Sequence, residues 1–406
     1  MNKNRFFSVL SIGLFFFFGL LLPSQLGKHF WPSFAFVNGV RTDYLAPTIY
    51  FTDILLVILV LLRVIKLRVN GLGGTKAVAC FPAVVLASRR SGLVMAGCLL
   101  YFFLAPIKLL FLYRLWQYFK ILGAIFIFYT SVKNERKWFV YGLLGSSVYT
   151  LFLVVAQILY QSSLQGLWWM LGERLFTITT PGISTISIAG RELLRGYGTF
   201  SHPNSLAGFF LVVYILGTLY NLTLFTIPAI LLILLSFSKM GIGMFVVFFL
   251  IFESQKLKGC RLCRLAKVVF ALWVLSLLLF FQGSSGTVYE RLASWLYAGI
   301  AIVQHPLGLT PGNYLYQGQP IHNIFLLISV EIGLIGLISL IGLIMRLIGP
   351  MRLIRLIHFR EILLLLAILS TGMVDHYWLT LQQNMLLFGV VVGMAIARLR
   401  SVETVR

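Results

Sequence analysis

Apolar runs of about twenty residues, the length a helix needs to cross the hydrocarbon core of a bilayer, recur almost from end to end of this 406-residue chain. With 59% hydrophobic and 11% charged residues and a mean hydropathy of +0.95, it lies outside the range of soluble domains. Spans are predicted near 6–26, 47–65, 77–107 (one crossing), 113–132, 138–160, 204–222, 223–237, 240–254, 266–282, 321–345, 361–376 and 382–398. The first follows Lys3 and Arg5, as a signal peptide would. It is too long for a signal h-region and no small-residue cleavage site follows, so it counts as a helix. The expected fold is all-α and polytopic, with about 12 transmembrane helices in a single membrane domain over 1–406. Two points are weak: 77–90 is too short to span alone, and one long helix through Ser236 would invert everything after it.

Lys and Arg concentrate in loops kept on the cytoplasmic side, and here every second loop carries them. The clusters are Arg63 to Arg90, Lys133 to Lys137, Lys256 to Lys267, Arg346 to Arg360 and Arg398 to Arg406. That alternation places both termini in the cytoplasm. The net charge of +22 is then mainly a topological signal and a hold on anionic lipid. Spread over separate short loops rather than gathered in one patch, it sets nucleic acid aside as a partner. Of the four cysteines, none falls in a predicted outer loop, so no disulfide framework is implied. Cys260 and Cys263 have the spacing of half a zinc site but no second pair.

Two outer loops are long, about 161–204 and 283–321, and long loops concentrate function. Each holds a stretch suited to a short interfacial helix: one around Trp168 and Trp169, the other over 288–303, where Val288, Leu292, Trp295, Gly299 and Val303 share a helical stripe. The second stretch reads equally as a simple anchor and as a wall for a lipid substrate. The first loop ends in Arg195-Gly-Tyr-Gly-Thr-Phe-Ser-His-Pro-Asn204, where Pro203 suits a first helical turn. The second carries Arg291, then Pro306-Leu-Gly-Leu-Thr-Pro-Gly-Asn-Tyr314, then His322-Asn323 where another helix begins and runs on through Glu331-Ile-Gly333.

These residues suffice for a chemical reading. Both helix starts, at Pro203 and near His322, put the positive end of a helix dipole at the outer surface, and Arg195 and Arg291 add forked donors matched to phosphate oxygens. A diphosphate is the obvious candidate occupant of such an anion site. His322 is either a general base, its neutral form favoured by the nearby positive charges, or a helix cap. Glu331, nine residues further on, lies about 13 Å along the helix, and reads as a functional carboxylate or a packing group. Arg174 and Asp375 are candidate cavity lining, while Asp53 and Lys120 read as structural. The outer histidines and carboxylates are not grouped at ligand spacings, so no metal and no cofactor is expected.

The same pieces resemble those of the O-antigen ligase-like and polymerase-like membrane glycosyltransferases. The resemblance rests on Arg195 to Asn204, on Ser236-Phe-Ser-Lys-Met-Gly241 with Lys239 where that family tends to have Arg, and on Arg291 through Trp295 and Gly308 to Asn313, His322-Asn323 and Glu331 to Gly333. Asp375-His-Tyr-Trp-Leu-Thr-Leu-Gln-Gln383 extends it. It covers a core of 190–345, and the first 130 residues match only as generic membrane helices. It implies a GT-C-like fold in the bacterial inner membrane and a glycan moved from an undecaprenyl-diphosphate carrier to an acceptor hydroxyl on a glycan, glycolipid or protein, at the outer face. It favours His322 as catalytic over the cap. Arg195, Arg291, Asn204, Asn323, His202 and Lys239 would hold or line the substrate, and a single metal-independent displacement would invert the anomeric centre. Ligase and repeat-unit polymerase share these motifs. A lipid-linked glycan flippase, the alternative from another class, would favour inverted repeats and midplane charges, whereas here the polar constellations gather at outer helix ends and no inverted repeat is seen.

Overall fold

In the computed structural model the chain is mostly helical, 73%, with few strands; residues 3–37, 40–42, 45–69, 91–188, 190–256, 269, 272, 286–313, 321–353 and 359–403 are described. The expected span at 266–282, the Cys260–Cys263 pair and residues 77–90 lie outside them, apart from positions 269 and 272. The helices are α1 (Lys3–Leu21), α2 (Phe51–Val69), α3 (Ser91–Leu104), α4 (Lys108–Thr130), α5 (Lys133–Tyr160), α6 (Pro203–Leu219), α7 (Ile227–Leu235), α8 (Lys239–Lys256), α9 (Gly286–Gln304), α10 (Ile324–Leu353), α11 (Phe359–Gly372), α12 (Tyr377–Thr380) and α13 (Gln382–Glu403).

Three stretches among the described residues, Lys108–Thr130, Lys133–Tyr160 and Ile324–Leu347, are long and apolar enough to cross a membrane. Shorter apolar helices cover Phe7–Leu21, Pro203–Leu219, Thr223–Leu235, Lys239–Phe252 and Ile362–Gly372. The stretch expected as a span at 223–237 is a four-residue 3-10 turn leading into nine-residue α7, about 20 Å at 1.5 Å per residue against a hydrocarbon core of about 30 Å. The helix ends at Ser236, where Phe237 takes a left-handed φ of 50° and Ser236 Oγ accepts the Ser238 N–H. α7 and α8 are therefore two helices and not one.

The fold is mostly helical as expected, and among the described residues three small antiparallel ribbons occupy the loops: β1 (Gly27–His29) with β4 (Thr48–Tyr50), β2 (Phe36–Val37) with β3 (Val40–Arg41), and β5 (Thr185–Ile188) with β6 (Arg191–Leu194). In the last, Ile188 pairs with Arg191 across a two-residue turn holding Gly190 at φ 78°, the positive φ that such hairpin turns require.

α1 packs on α5 and α4 on α13. On α13 a Cβ added to Gly389 or Gly393 would lie 2.7 Å from the Ile121 carbonyl oxygen or 2.6 Å from that of Ile125. These two glycines, four apart, let the backbones approach as small residues do in membrane helix pairs. Asp53 and Lys120, read as structural, pair at 3.2 Å. Gln382 donates to Asp53 Oδ1 at 2.5 Å and accepts from Lys120 Nζ at 2.6 Å. Glu135, at the start of α5, takes Arg63 and, at 3.5 Å, Lys66.

α10 is broken at Gly333, with φ 75° and ψ −170°. The cause is the segment after α9, whose backbone pairs with the break: Leu309 N donates to Val330 O at 2.7 Å and Leu334 N to Pro306 O at 3.0 Å. Cβ atoms at Gly308 or Gly333 would collide with the opposing backbone at 2.6 and 2.4 Å. The expected amphipathic stretch 288–303 lies within α9, but its stripe divides. Trp295 packs on the core and Ala298 is buried, while Leu292 and Val303 are 50% and 82% exposed.

Candidate functional site

The segment Arg195–Ser201 threads into the bundle. Gln157 holds both polar groups of Gly198, donating to its carbonyl at 2.9 Å and accepting its N–H at 2.8 Å, and Thr199 Oγ donates to Pro23 O at 2.6 Å. Gly196 N donates to Leu235 O at 3.0 Å, where a Cβ on Gly196 would sit 2.8 Å from that oxygen. The glycines are thus a packing requirement of this path. It delivers Arg195 to one end of the bundle, where its Nε donates to Ser236 O at 2.9 Å and its Nη2 to Asn204 Oδ1 at 3.0 Å. Ser236 lies in the stretch resembling the ligase-like pattern; Lys239, three residues on, is exposed at the start of α8.

α6 begins as expected, with Pro203 in its first turn and His202 as N-cap. His202 Nδ1 accepts from Asn204 N at 3.1 Å, and Nε2 lies 3.2 Å from Ser184 Oγ. An Nδ1 that accepts is unprotonated, so His202 is the Nε2–H tautomer of a neutral imidazole. Burial takes its pKa down to about 4, with Asp375 opposing that shift and Arg195 adding to it. Asn204 then bridges two candidates, since its Nδ2 donates to Asp375 Oδ2 at 3.3 Å.

Asp375 lies between α11 and α12 and is the hub of the site. His322 Nδ1 is 3.4 Å from its Oδ1, and the His376 peptide N–H donates to the same oxygen at 2.8 Å. Burial alone would raise this carboxyl, but the His322 hydrogen bond and the histidines around it hold it far below the ordinary carboxylate range. Arg291 Nη1 donates to the carbonyl of neighbouring Val374 at 3.0 Å, and Trp295 Nε1 to that of His322 at 3.3 Å. α9 thereby carries a guanidinium and an indole onto the 322–323 and 373–375 turns.

The two roles left open for His322 separate in the structure. Asn323 caps α10, its Oδ1 accepting from Phe325 N at 2.8 Å and Leu326 N at 3.1 Å while its Nδ2 donates to Met373 O at 2.9 Å. His322 is turned to Asp375 instead, with its side chain 30% exposed. If Nδ1 donates to the carboxylate, Nε2 keeps the lone pair.

Not every candidate joins this cluster. Glu331 is fully buried, with its oxygens taken by Arg114 Nε at 3.0 and 3.1 Å, by Tyr118 and by Gly312 N at 3.3 Å; it locks α4 to the broken turn of α10. Arg174 is exposed, with its carbonyl held by Gln165 Nε2 at 3.1 Å. Sequence reasoning missed His376, quoted in the motif without a role, although its adjacency to Asp375 was a usable signal. It also found no metal-ligand grouping. The fold makes one: ligand atoms of His322, Asp375 and His376 lie within 4.8 Å of one another.

Two arginines, a buried carboxylate, an asparagine bridge and a half-exposed histidine thus gather at the N-termini of α6 and α10, in a mostly helical protein with helices long and apolar enough to cross a membrane. Compared with known families and curated proteins, the chain matches no family model and no curated sequence.

Proposed function

We propose that this protein is a membrane glycosyltransferase that moves a glycan from an undecaprenyl-diphosphate carrier to an acceptor hydroxyl at the outer face of the membrane, by O-antigen ligase-like or polymerase-like chemistry. The observation that carries the reading is the convergence of Arg195, Asn204, Arg291 and His322 on the Asp375 turn, from two long loops and the α11–α12 connection. Each arginine keeps most of its five N–H groups for a ligand, because Arg195 spends two on Ser236 and Asn204 and Arg291 one on Val374. Burial brings the Arg195 pKa down to about 10, which leaves it charged at neutral pH.

In this scheme the guanidiniums and the α6 and α10 N-termini stabilise the departing diphosphate. His322, oriented by Asp375 through Nδ1, takes the acceptor proton on Nε2. A single attack at the anomeric carbon then breaks its bond to the diphosphate and inverts the configuration. Deleting the gene tests the assignment. Long unattached chains on the lipid carrier identify a ligase and single repeat units a polymerase; an unchanged carrier-linked glycan pool refutes both.

A further inference from the structure

We propose that His322, Asp375 and His376 form a binding site for a transition-metal ion of the Zn2+ class, and that occupancy of this site blocks the base role assigned to His322. The three residues come from the α10 N-terminus and the α11–α12 turn. His322 Nδ1 lies 3.4 Å and His376 Nε2 3.9 Å from Asp375 Oδ1, and all three ligand atoms fall within 4.8 Å of one another. Tetrahedral Zn2+ with bonds of about 2.0–2.2 Å holds its ligand atoms roughly 3.3–3.6 Å apart, so closure needs only small side-chain rotations.

A second set of contacts presets the ligands. Thr380 Oγ donates to the His376 carbonyl at 3.1 Å and lies 2.6 Å from His376 Nδ1. With the hydroxyl proton committed to the carbonyl, the short contact is an Nδ1–H donated to oxygen, the tautomer that turns an Nε2 lone pair toward Asp375. A ligating histidine whose other nitrogen is held in this way is the usual arrangement of metal sites. Asp375 is in turn held by the His376 N–H and by Asn204. His376 and Asp375 are 3% and 7% exposed while His322 is half-buried, so the open coordination position faces out past His322. Two imidazoles and one carboxylate select Zn2+, Co2+, Ni2+ or Cu2+ over Mg2+ or Ca2+. The nearby Arg195 and Arg291 charges weaken the hold on any cation.

The inhibition follows from tautomer logic. A metal on Nδ1 of a neutral imidazole moves the ring proton to Nε2, the atom the proposed base needs unprotonated, and also removes the Asp375 contact. The inhibition arm rests on the proposed transferase reading; the binding arm does not. Detergent-purified full-length protein is stripped with EDTA and titrated with Co2+, followed by visible absorption, then displaced with Zn2+. The expected result is one Co2+ per chain with a spectrum that Zn2+ bleaches, lost in His376→Gln. Thr380→Val, which keeps all three ligands, weakens affinity about 10–100-fold, and thermal melting confirms that both variants are folded. In the transfer assay EDTA leaves turnover intact and Zn2+ inhibits the wild type, while the turnover that His376→Gln retains, whatever its level, is not lowered by Zn2+. No Co2+ spectrum, or one unchanged in His376→Gln, overturns the site; Zn2+ binding that leaves turnover unaffected overturns the inhibition.

Discussion

His322 turns Nδ1 to within 3.4 Å of Asp375 Oδ1 across 53 positions of sequence, while its neighbour Asn323 performs the capping of α10. A carboxylate in that position fixes the ring orientation and favours the imidazolium that forms on proton uptake. Asp375→Asn is therefore expected to lower turnover by at least about 10²-fold with little change in donor binding. Single-turnover kinetics beside direct binding of the lipid diphosphate checks this; a variant with normal turnover removes Asp375 from the mechanism.

In the proposed mechanism Arg195 and Arg291 hold the diphosphate in both ground and transition states. Replacing either with Ala is expected to weaken donor binding and rate together. Lys at either position restores only part, because an ammonium cannot reproduce the forked contact. Normal binding of the lipid diphosphate by both Ala variants, measured on protein with wild-type melting, contradicts the anion site.

How far the sequence carried this account depends on whether the signal is local. The α6 start was legible because Pro203 and its preceding turn residues are a local pattern, and the apolar runs over 113–132 and 138–160 became α4 and α5 with ends moved by a few residues. The break at Gly333 was not legible. Hydropathy runs unbroken through it, and only pairing with Pro306 to Leu309 removes the helical hydrogen bonds there. For the same reason the sequence left Glu331 open between a functional carboxylate and a packing group, and only Arg114, 217 positions away, decides for packing. The His322, Asp375 and His376 grouping likewise exists only once α10 and the α11–α12 turn meet.

Glu331 and Arg114 give a test of structure rather than chemistry. Glu331→Ala leaves a guanidinium buried without its carboxylate, a loss of about 3–5 kcal/mol for pairs of this kind. A large fall in melting temperature and extracted yield is expected. Pairing it with Arg114→Met removes the stranded charge and should recover much of the loss; a double variant no better than the single contradicts the ion-pair account.

His202 links stability to pH. Its folded pKa, about 4, lies below the unfolded value of about 6.5, so the unfolded chain binds protons more readily across that interval. The contribution is complete above about pH 6.5 and is lost as pH falls toward 4. Protonating Nδ1 also removes the acceptor that caps α6 and sets a positive charge at a helix N-terminus. Melting temperature in detergent is expected to drop on acidification, and His202→Asn, a capping side chain that does not titrate, should flatten that dependence. An equally steep profile in the variant assigns the acid sensitivity elsewhere.

Glycan transfer in proteoliposomes tests the central claim most directly. Purified protein is supplied with an undecaprenyl-diphosphate-linked glycan and an acceptor glycolipid, in parallel with His322→Ala of confirmed fold. The account expects acceptor-linked glycan and released undecaprenyl diphosphate from the wild type, with turnover lower by about 10² to 10⁴ in the variant and donor binding retained. Wild-type protein that binds the donor without transferring its glycan, or a His322→Ala variant that transfers at the wild-type rate, would contradict it.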